Sequence, residues 1–430
     1  MYMVRKKFHK LRMLLCGVLS LNILLAQPAF VYASQDGEYA DNGQSGEGSE
    51  APTPTEDPHT QAYYQSADTD SIEGWPEGPK IEAESAILMD VYTESILYSK
   101  NADKKLYPAS ITKIMTTLLA CENLNLKDKL VVSEAAAYGI EPGSSSIYAD
   151  TDEEFTVQQA LMAVMLESAN EMALAIGEKT SGSVKKFVEL MNNRASQLGC
   201  TNTHFNNPHG LTDENHYTTA NDMAKIAKAA WFNPLFRKFT TKDLFEIPPT
   251  NKFAETRYLL NHHKMMPGRE YAYDGVVGGK TGYTDAAGNT LVTYAKRGDT
   301  ILLAVVLNSI GGCFSDTASL LDYGFNNFEK VDLNLQKEPV PVKTLPCEHY
   351  ILKDNGDTFP FYYIRRVYVT VPKGTEVSTL SKRQAILNNP IGPLRLKSKY
   401  YYNKHMVGWG MQYEKEILSD LLLPQNLANG

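Results

Sequence analysis

The chain has 430 residues, a net charge of −8, 43% hydrophobic and 21% charged residues. That length allows two or three domains with a sizeable core, and the composition is that of a globular protein. The acidic balance argues against a nucleic-acid partner.

In chain order, Arg5, Lys6, Lys7, Lys10 and Arg12 precede an apolar run over 13–25, too short for a comfortable membrane span. Val31-Tyr32-Ala33 puts small residues at the −3 and −1 positions of a cleavage site, so residues 1–33 read as a signal peptide and the mature chain as exported to the cell envelope. Residues 34–79 are polar, acidic and poor in aliphatics, and read as a disordered linker. Residues 80–333 carry the main domain. Two strands are expected over 85–90 and 95–98, then helices over 156–165, 186–198 and 221–230. Apolar β-type runs over 288–294 and 300–308 flank the turn Lys296-Arg297-Gly298-Asp299, and a helix over 317–328 closes the unit. Strands at both ends with helices between imply an α+β domain: an antiparallel sheet flanked by helices, with a helical subdomain. Residues 339–405 alternate at Phe361, Tyr363, Val367, Val369 and Val371 and read as a small all-β domain. The tail, 406–430, admits a short helix over 414–423.

Outside the leader, Cys121, Cys200, Cys313 and Cys347 are far apart, which suggests buried thiols rather than a zinc site or a disulfide scaffold. No His-Glu-x-x-His helix occurs, and His204, His209 and His216 lie in a loop-like stretch without an acidic partner pattern, so neither metal nor cofactor is expected.

The chemistry centres on Pro108-Ala109-Ser110-Ile111-Thr112-Lys113. Pro108 suits a helix start. Ile111, Ile114, Met115, Leu118 and Leu119 recur at helical spacing, predicting an amphipathic helix with a buried stripe and Ser110 in its first turn. Ser110 and Lys113, three apart, share a face, and a poorly solvated Lys amine can take a proton from a serine. The same pattern recurs at Ser183 and Lys186, where a capped helix with a solvated Lys is the plainer reading. Ser168 and Asn170, at the end of an apolar helical run, put a hydroxyl beside an amide. Gly279-Lys280-Thr281-Gly282-Tyr283 leads into a strand, with an ammonium and a hydroxyl that can bind a carboxylate.

Each motif alone is weak; three in this order, spaced by roughly fifty and a hundred residues, are hard to obtain by chance. They are the Ser-x-x-Lys, Ser-x-Asn and Lys-Thr-Gly set of penicillin-binding proteins and class A β-lactamases. With Phe187-Val188-Glu189-Leu190-Met191-Asn192, Asn207-Pro208-His209-Gly210-Leu211 and the residues through Gly288, the stretch 81–327 resembles the low-molecular-weight D-alanyl-D-alanine carboxypeptidases. The resemblance implies a β-lactamase/transpeptidase-like fold followed by a small β domain. It also implies a peptidoglycan pentapeptide as substrate and β-lactam antibiotics as covalent inhibitors. Ser110 would be the nucleophile, Lys113 its base, Ser168 the donor to the leaving amine, and Asn170 the group orienting Lys113 and the substrate. Lys280, Thr281 and Gly282 would make up the substrate-binding motif, the first two holding the terminal carboxylate, and the N–H groups of Ser110 and Tyr283 would form the oxyanion hole. A class A-like β-lactamase would need a Glu-x-x-Leu-Asn loop between the second and third motifs, which is absent. A DD-endopeptidase would use the same residues, and a non-enzymatic wall-binding protein would not need them intact. Two departures stand out. Glu171 follows Asn170 where the family commonly has Asp, with little effect expected. The tail after Lys415 carries no Lys or Arg, which argues against peripheral membrane contact through a basic C-terminal helix.

Overall fold

A computed structural model describes residues 58–335, 366–387 and 395–414, with short strands at Val340–Pro341, Thr358–Phe359 and Phe361–Tyr363. The expected leader, Cys347, the string Pro390-Ile391-Gly392-Pro393, whose prolines and glycine predict a turn, and the helix expected after Glu414 lie outside the described residues.

The elements run α1 (Pro58–Tyr64), β1 (Ser85–Asp90), β2 (Ile96–Lys100), α2 (Lys113–Asn123), β3 (Lys129–Val131), α3 (Glu134–Tyr138), β4 (Glu154–Thr156) and α4 (Val157–Met162). There follow α5 (Asn170–Ser181), α6 (Val184–Gln197), α7 (Ala220–Phe232), α8 (Pro234–Thr240), β5 (Leu244–Ile247), β6 (Arg257–Leu260), β7 (Val276–Thr284), β8 (Gly288–Arg297), β9 (Thr300–Ser309) and α9 (Cys313–Asn327). The C-terminal strands are β10 (Phe328–Asp332), β11 (Val340–Pro341), β12 (Thr358–Phe359), β13 (Phe361–Tyr363), β14 (Tyr368–Pro372), β15 (Ser381–Leu387), β16 (Arg395–Tyr402) and β17 (His405–Glu414).

Five antiparallel strands form the central sheet in the order β2-β1-β9-β8-β7, uniting the two ends of the domain as expected. Alternate side chains of a strand point to opposite faces. On β9, Leu303, Val305 and Leu307 join the core shared with α2, α4, α5 and α7, whereas Leu302, Ala304 and Val306 join that shared with Leu320 and Leu321 of α9. Both faces are covered, so β1 and β9 read as near-continuous apolar runs. Arg297 pairs with Thr300, leaving Gly298-Asp299 as a two-residue turn in which Gly298 takes φ 57°.

Three expectations are corrected. The Ser110 helix is not amphipathic: every residue of α2 from Lys113 to Cys121 is buried, because helices and sheet enclose it, and Ala109–Thr112 form a 3₁₀ turn ahead of it. The disordered linker does not reach residue 79. Trp75 is buried against Phe328, Tyr402 and His405, at ring-centroid distances of 5.0, 5.6 and 4.8 Å, and its Nε1–H donates to Leu97 O at 2.9 Å. One indole supplies the apolar area that the aliphatic-poor segment otherwise lacks. Finally, the β domain begins at Phe328, directly after α9, and runs to Glu414: its sheet is ordered β10-β14-β17-β16-β15, with β13 on β17. Val367, Val369 and Val371 are buried. Cys121, Cys200 and Cys313 are buried free thiols.

Candidate active site

The site forms where the 3₁₀ turn, the π-type turn Ala163–Glu167, the loop around His209 and the outer strand β7 meet around the start of α2. Ala109 adopts φ 50°, an uncommon conformation for a residue with a Cβ. Its carbonyl is met by Gly210, where a Cβ would lie 1.9 Å from Ala109 O, so only glycine allows this approach. Thr290 Oγ1 donates to Pro108 O at 2.8 Å and fixes the turn to β8.

Lys113 is fully buried, and its Nζ donates to Ser110 Oγ at 2.9 Å, Asn170 Oδ1 at 2.7 Å and His209 O at 2.7 Å. Burial, reinforced by the charge of Lys280, holds its pKa well below the ordinary lysine value, and Glu171 opposes that shift. A neutral amine facing a hydroxyl at this distance is a general base for it. His209 and His216 are pushed down to about 3 and about 4, chiefly by burial, and so are neutral near pH 7.

Ser168 lies just after the π-type turn with φ 59°. It is 5% exposed, and its Oγ has no hydrogen-bond partner among the described residues. A buried hydroxyl without a partner is costly unless a ligand or solvent engages it. Asn170 N–H donates to Ser145 O at 2.9 Å, and Glu171 Oε1 accepts from Ile147 N–H at 2.7 Å, so both residues grip the loop that precedes β4.

On β7, Lys280 is 2% exposed and donates to Thr281 O at 2.9 Å. Burial lowers it to about 7, against the pull of Glu167. Gly282 brings β7 against the serine turn: a Cβ there would lie 2.8 Å from Ser110 N and 2.4 Å from Thr290 Oγ1. Thr281 is half-buried, and Tyr283 is 62% exposed with its hydroxyl donating to Asp285 Oδ1 at 3.1 Å.

The sequence motifs therefore converge: Ser110, Lys113 and Asn170 are linked by hydrogen bonds, Ser168 sits two residues before Asn170, and β7 packs on the serine turn. Ser183 and Lys186 do not join them. Ser183 caps α6 by accepting from Lys186 N–H, and the Lys186 side chain is exposed. Motif reading gave no role to the His209 carbonyl or to Pro208, whose carbonyl accepts from Thr116 Oγ1 at 2.6 Å. Their signal was the Asn207-Pro208-His209-Gly210-Leu211 string, in which Asn207 Oδ1 accepts from Gly210 N–H at 2.7 Å and shapes the loop.

A serine served by a buried lysine instead of a histidine, facing a strand that carries Lys-Thr-Gly, narrows the class to the penicillin-binding serine peptidases and their β-lactamase relatives. Residues 73–311 match the D-alanyl-D-alanine carboxypeptidase family, peptidase family S11. The chain is 37% identical over 268 residues to the D-alanyl-D-alanine carboxypeptidase DacF of Bacillus subtilis, a match covering 60% of this chain and 66% of DacF. It is 30% identical to DacA of Escherichia coli, over 70% of this chain and 73% of that protein. Among solved structures it resembles penicillin binding protein 5 of Haemophilus influenzae, with a TM-score of 0.63, 27% identity and coverage of 79% of this chain and 98% of that one. The carboxypeptidase DacD of Francisella tularensis gives a TM-score of 0.59 at 25% identity, over 79% of this chain and 94% of that one. The chain belongs to the D-alanyl-D-alanine carboxypeptidase family, serine-type peptidases of the penicillin-binding, cell-wall class.

Proposed function

We propose that this chain removes the terminal D-Ala from peptidoglycan pentapeptides through an acyl-enzyme on Ser110. The observation that carries this reading is the 2.9 Å contact between the fully buried Lys113 Nζ and the half-buried Ser110 Oγ. Neutral Lys113 takes the hydroxyl proton as Ser110 Oγ attacks the penultimate D-Ala carbonyl. The N–H groups of Ser110 and Tyr283 receive the oxyanion, and Ser168 relays the proton to the leaving D-Ala nitrogen. Asn170 orients Lys113 and the substrate amide. Lys280 and Thr281 hold the terminal carboxylate, and a substrate without it leaves the buried ammonium unpaired. Water then hydrolyses the ester and restores the serine.

β-Lactams acylate the same serine in this reading. The missing Glu-x-x-Leu-Asn loop favours slow release of the penicilloyl group over β-lactamase turnover. The basic leader and Val31-Tyr32-Ala33 support action outside the cytoplasmic membrane. Incubation with a synthetic pentapeptide ending in D-Ala-D-Ala tests the reading: release of D-Ala supports it, and an intact peptide refutes it. Cleavage of a cross-linked dimer peptide without D-Ala release selects the endopeptidase instead.

A further inference from the structure

Glu167, immediately before Ser168, takes no part in the mechanism above, yet it is gripped on both sides. Its Oε2 lies 3.0 Å from His262 Nε2, and its Oε1 accepts from Leu260 N–H at 2.5 Å. The next residue, His263, is buried with its Nε2 2.9 Å from Thr293 Oγ1. The same imidazole occupies the space beside Gly279, where a Cβ would lie 2.7 Å from His263 Nε2. One short segment after β6 therefore braces the residue before Ser168 with one histidine and the residue before Lys280 with the other.

We propose that Glu167, clasped by His262 and the Leu260 amide, is a positioning residue for carboxylate capture: it supplies the counter-charge to Lys280 and ties the Ser168 turn to the segment after β6, whose His263 packs beside Gly279 of β7. The inference rests on the assignment of Lys280 as the carboxylate-binding group. Among the described residues, the groups whose charge couples to Lys280 are Glu167, Lys113 from α2 and buried His263. His263 is lowered to about 4 by burial and is neutral, Lys113 adds positive charge when protonated, and Glu167 alone adds negative charge. The carboxylate itself is held below its usual range by His262 and Leu260 N–H, against its own burial. A buried ammonium deprived of its opposing charge gives up its proton more readily, and a neutral amine no longer attracts a carboxylate.

The test measures kcat and KM for D-Ala release between pH 5 and 10 in the wild type, E167Q and H262A, each as the full chain. E167Q keeps an acceptor for Leu260 N–H and removes the charge, and the NH2 it turns toward His262 can donate to the imidazole in its other tautomer. Its alkaline limb is expected to move toward acid by about one unit, which above the midpoint is a tenfold loss of protonated lysine. That loss appears as a raised KM with kcat within about twofold. H262A alters a half-exposed side chain and shifts the limb in the same direction by less. A merely structural role would lower kcat equally at every pH and leave the limb where it was. E167Q and H262A profiles superimposable on an active wild type overturn the inference alone. A wild type that releases no D-Ala overturns both the inference and the assignment beneath it.

Discussion

Lys113 holds its Nζ 2.9 Å from Ser110 Oγ while its side chain is wholly withdrawn from solvent. The ammonium's three contacts, to Ser110, Asn170 and His209 O, consist of two neutral side chains and a carbonyl, with no carboxylate among them. That environment tolerates a neutral amine, which is what proton abstraction requires. S110A should therefore remain folded and lose all labelling by penicillin, read as the absence of an adduct in the intact mass. K113A should acylate about 10²–10⁴-fold more slowly, the usual loss for a general base. Peptide mapping should place the wild-type adduct on Ser110; an adduct on Ser183 would overturn the assignment.

In the proposed mechanism the two buried lysines carry opposite protonation states, and this sets the sign of the expected pH response. Lys113 must be neutral, so kcat/KM falls as pH drops through its lowered pKa. Lys280 must be charged, so kcat/KM for the free enzyme falls as pH rises through about 7. A bell results, with its alkaline limb near 7. Stability responds differently. The pKa of Lys280 is lower folded than unfolded, so between about 7 and about 10.4 the unfolded chain binds more protons and stability rises with pH. Below that window the cost of burying the charge is present in full. K280M should weaken both peptide and penicillin and remove this titration, so that stability no longer rises with pH between about 7 and about 10.4 as steeply as in the wild type. Melts of the two proteins across pH 6–10 with the same slope would contradict this.

What the sequence disclosed and what it hid differ in range. The motifs at Ser110, Ser168 and Lys280 were legible because each is a short string of residues whose chemistry depends on near neighbours. Strands β1, β2, β8 and β9 were legible because β9 and its partners alternate or run apolar, whereas β7, whose glycines interrupt any such run, was read only as leading into a strand. Glu171 was not legible. The extra methylene relative to Asp appeared inconsequential, but its carboxylate reaches Ile147 N–H, 24 residues earlier. Trp75 was hidden for the same reason: a polar, acidic stretch gives no local sign that one indole will be covered by Phe328 and Tyr402. Long-range partners leave no periodic trace in a single sequence.

Glu171 gives a prediction that separates charge from support. Its side chain is fully buried, Oε1 bonds the Ile147 amide, and its negative field raises the pKa of Lys113. E171Q can retain the acceptor and lose the field, so the acid limb of kcat/KM should move to lower pH with little change in Tm. E171A should also strand the buried Ile147 N–H, at about 1–3 kcal/mol. Thermal melts alongside pH–rate profiles distinguish the two; an unmoved acid limb in E171Q would show that the carboxylate does not act on Lys113.

The boundary of the catalytic unit gives the last prediction. A main domain over 80–333 followed by a separate β domain over 339–405, as the sequence reads, implies that a fragment spanning 79–337 keeps the chemistry. The structure instead threads both domains together. Asp90, buried at the end of β1, accepts from Thr370 Oγ1 of β14 at 2.8 Å, and Ser95 Oγ donates to Thr370 O at 2.9 Å. Burial raises the Asp90 pKa, so this carboxylate depends on its donors. On the same side, Trp75 seals Phe328 against Tyr402 and His405, and Lys100 Nζ is held by Ala62 O and Ile81 O at 2.6 and 2.8 Å. Cutting at 79 and 337 removes Trp75, Thr370 and one of the two carbonyls on Lys100, and leaves Asp90 and Phe328 uncovered. The fragment should therefore be far less stable than the full chain, whereas a fragment spanning 58–414 should retain its stability and its acylation rate. Within the full chain, T370V should cost about 1–3 kcal/mol by stranding Asp90 Oδ2, while Oδ1 keeps the Tyr92 and Thr93 N–H groups, and W75A about 3–5 kcal/mol. Neither touches Ser110, so penicillin should acylate the folded variants at the wild-type rate. Urea melts and stopped-flow acylation on the same samples provide the check: a fragment 79–337 as stable as the full chain would show that the β domain and the N-terminal segment are mere appendages.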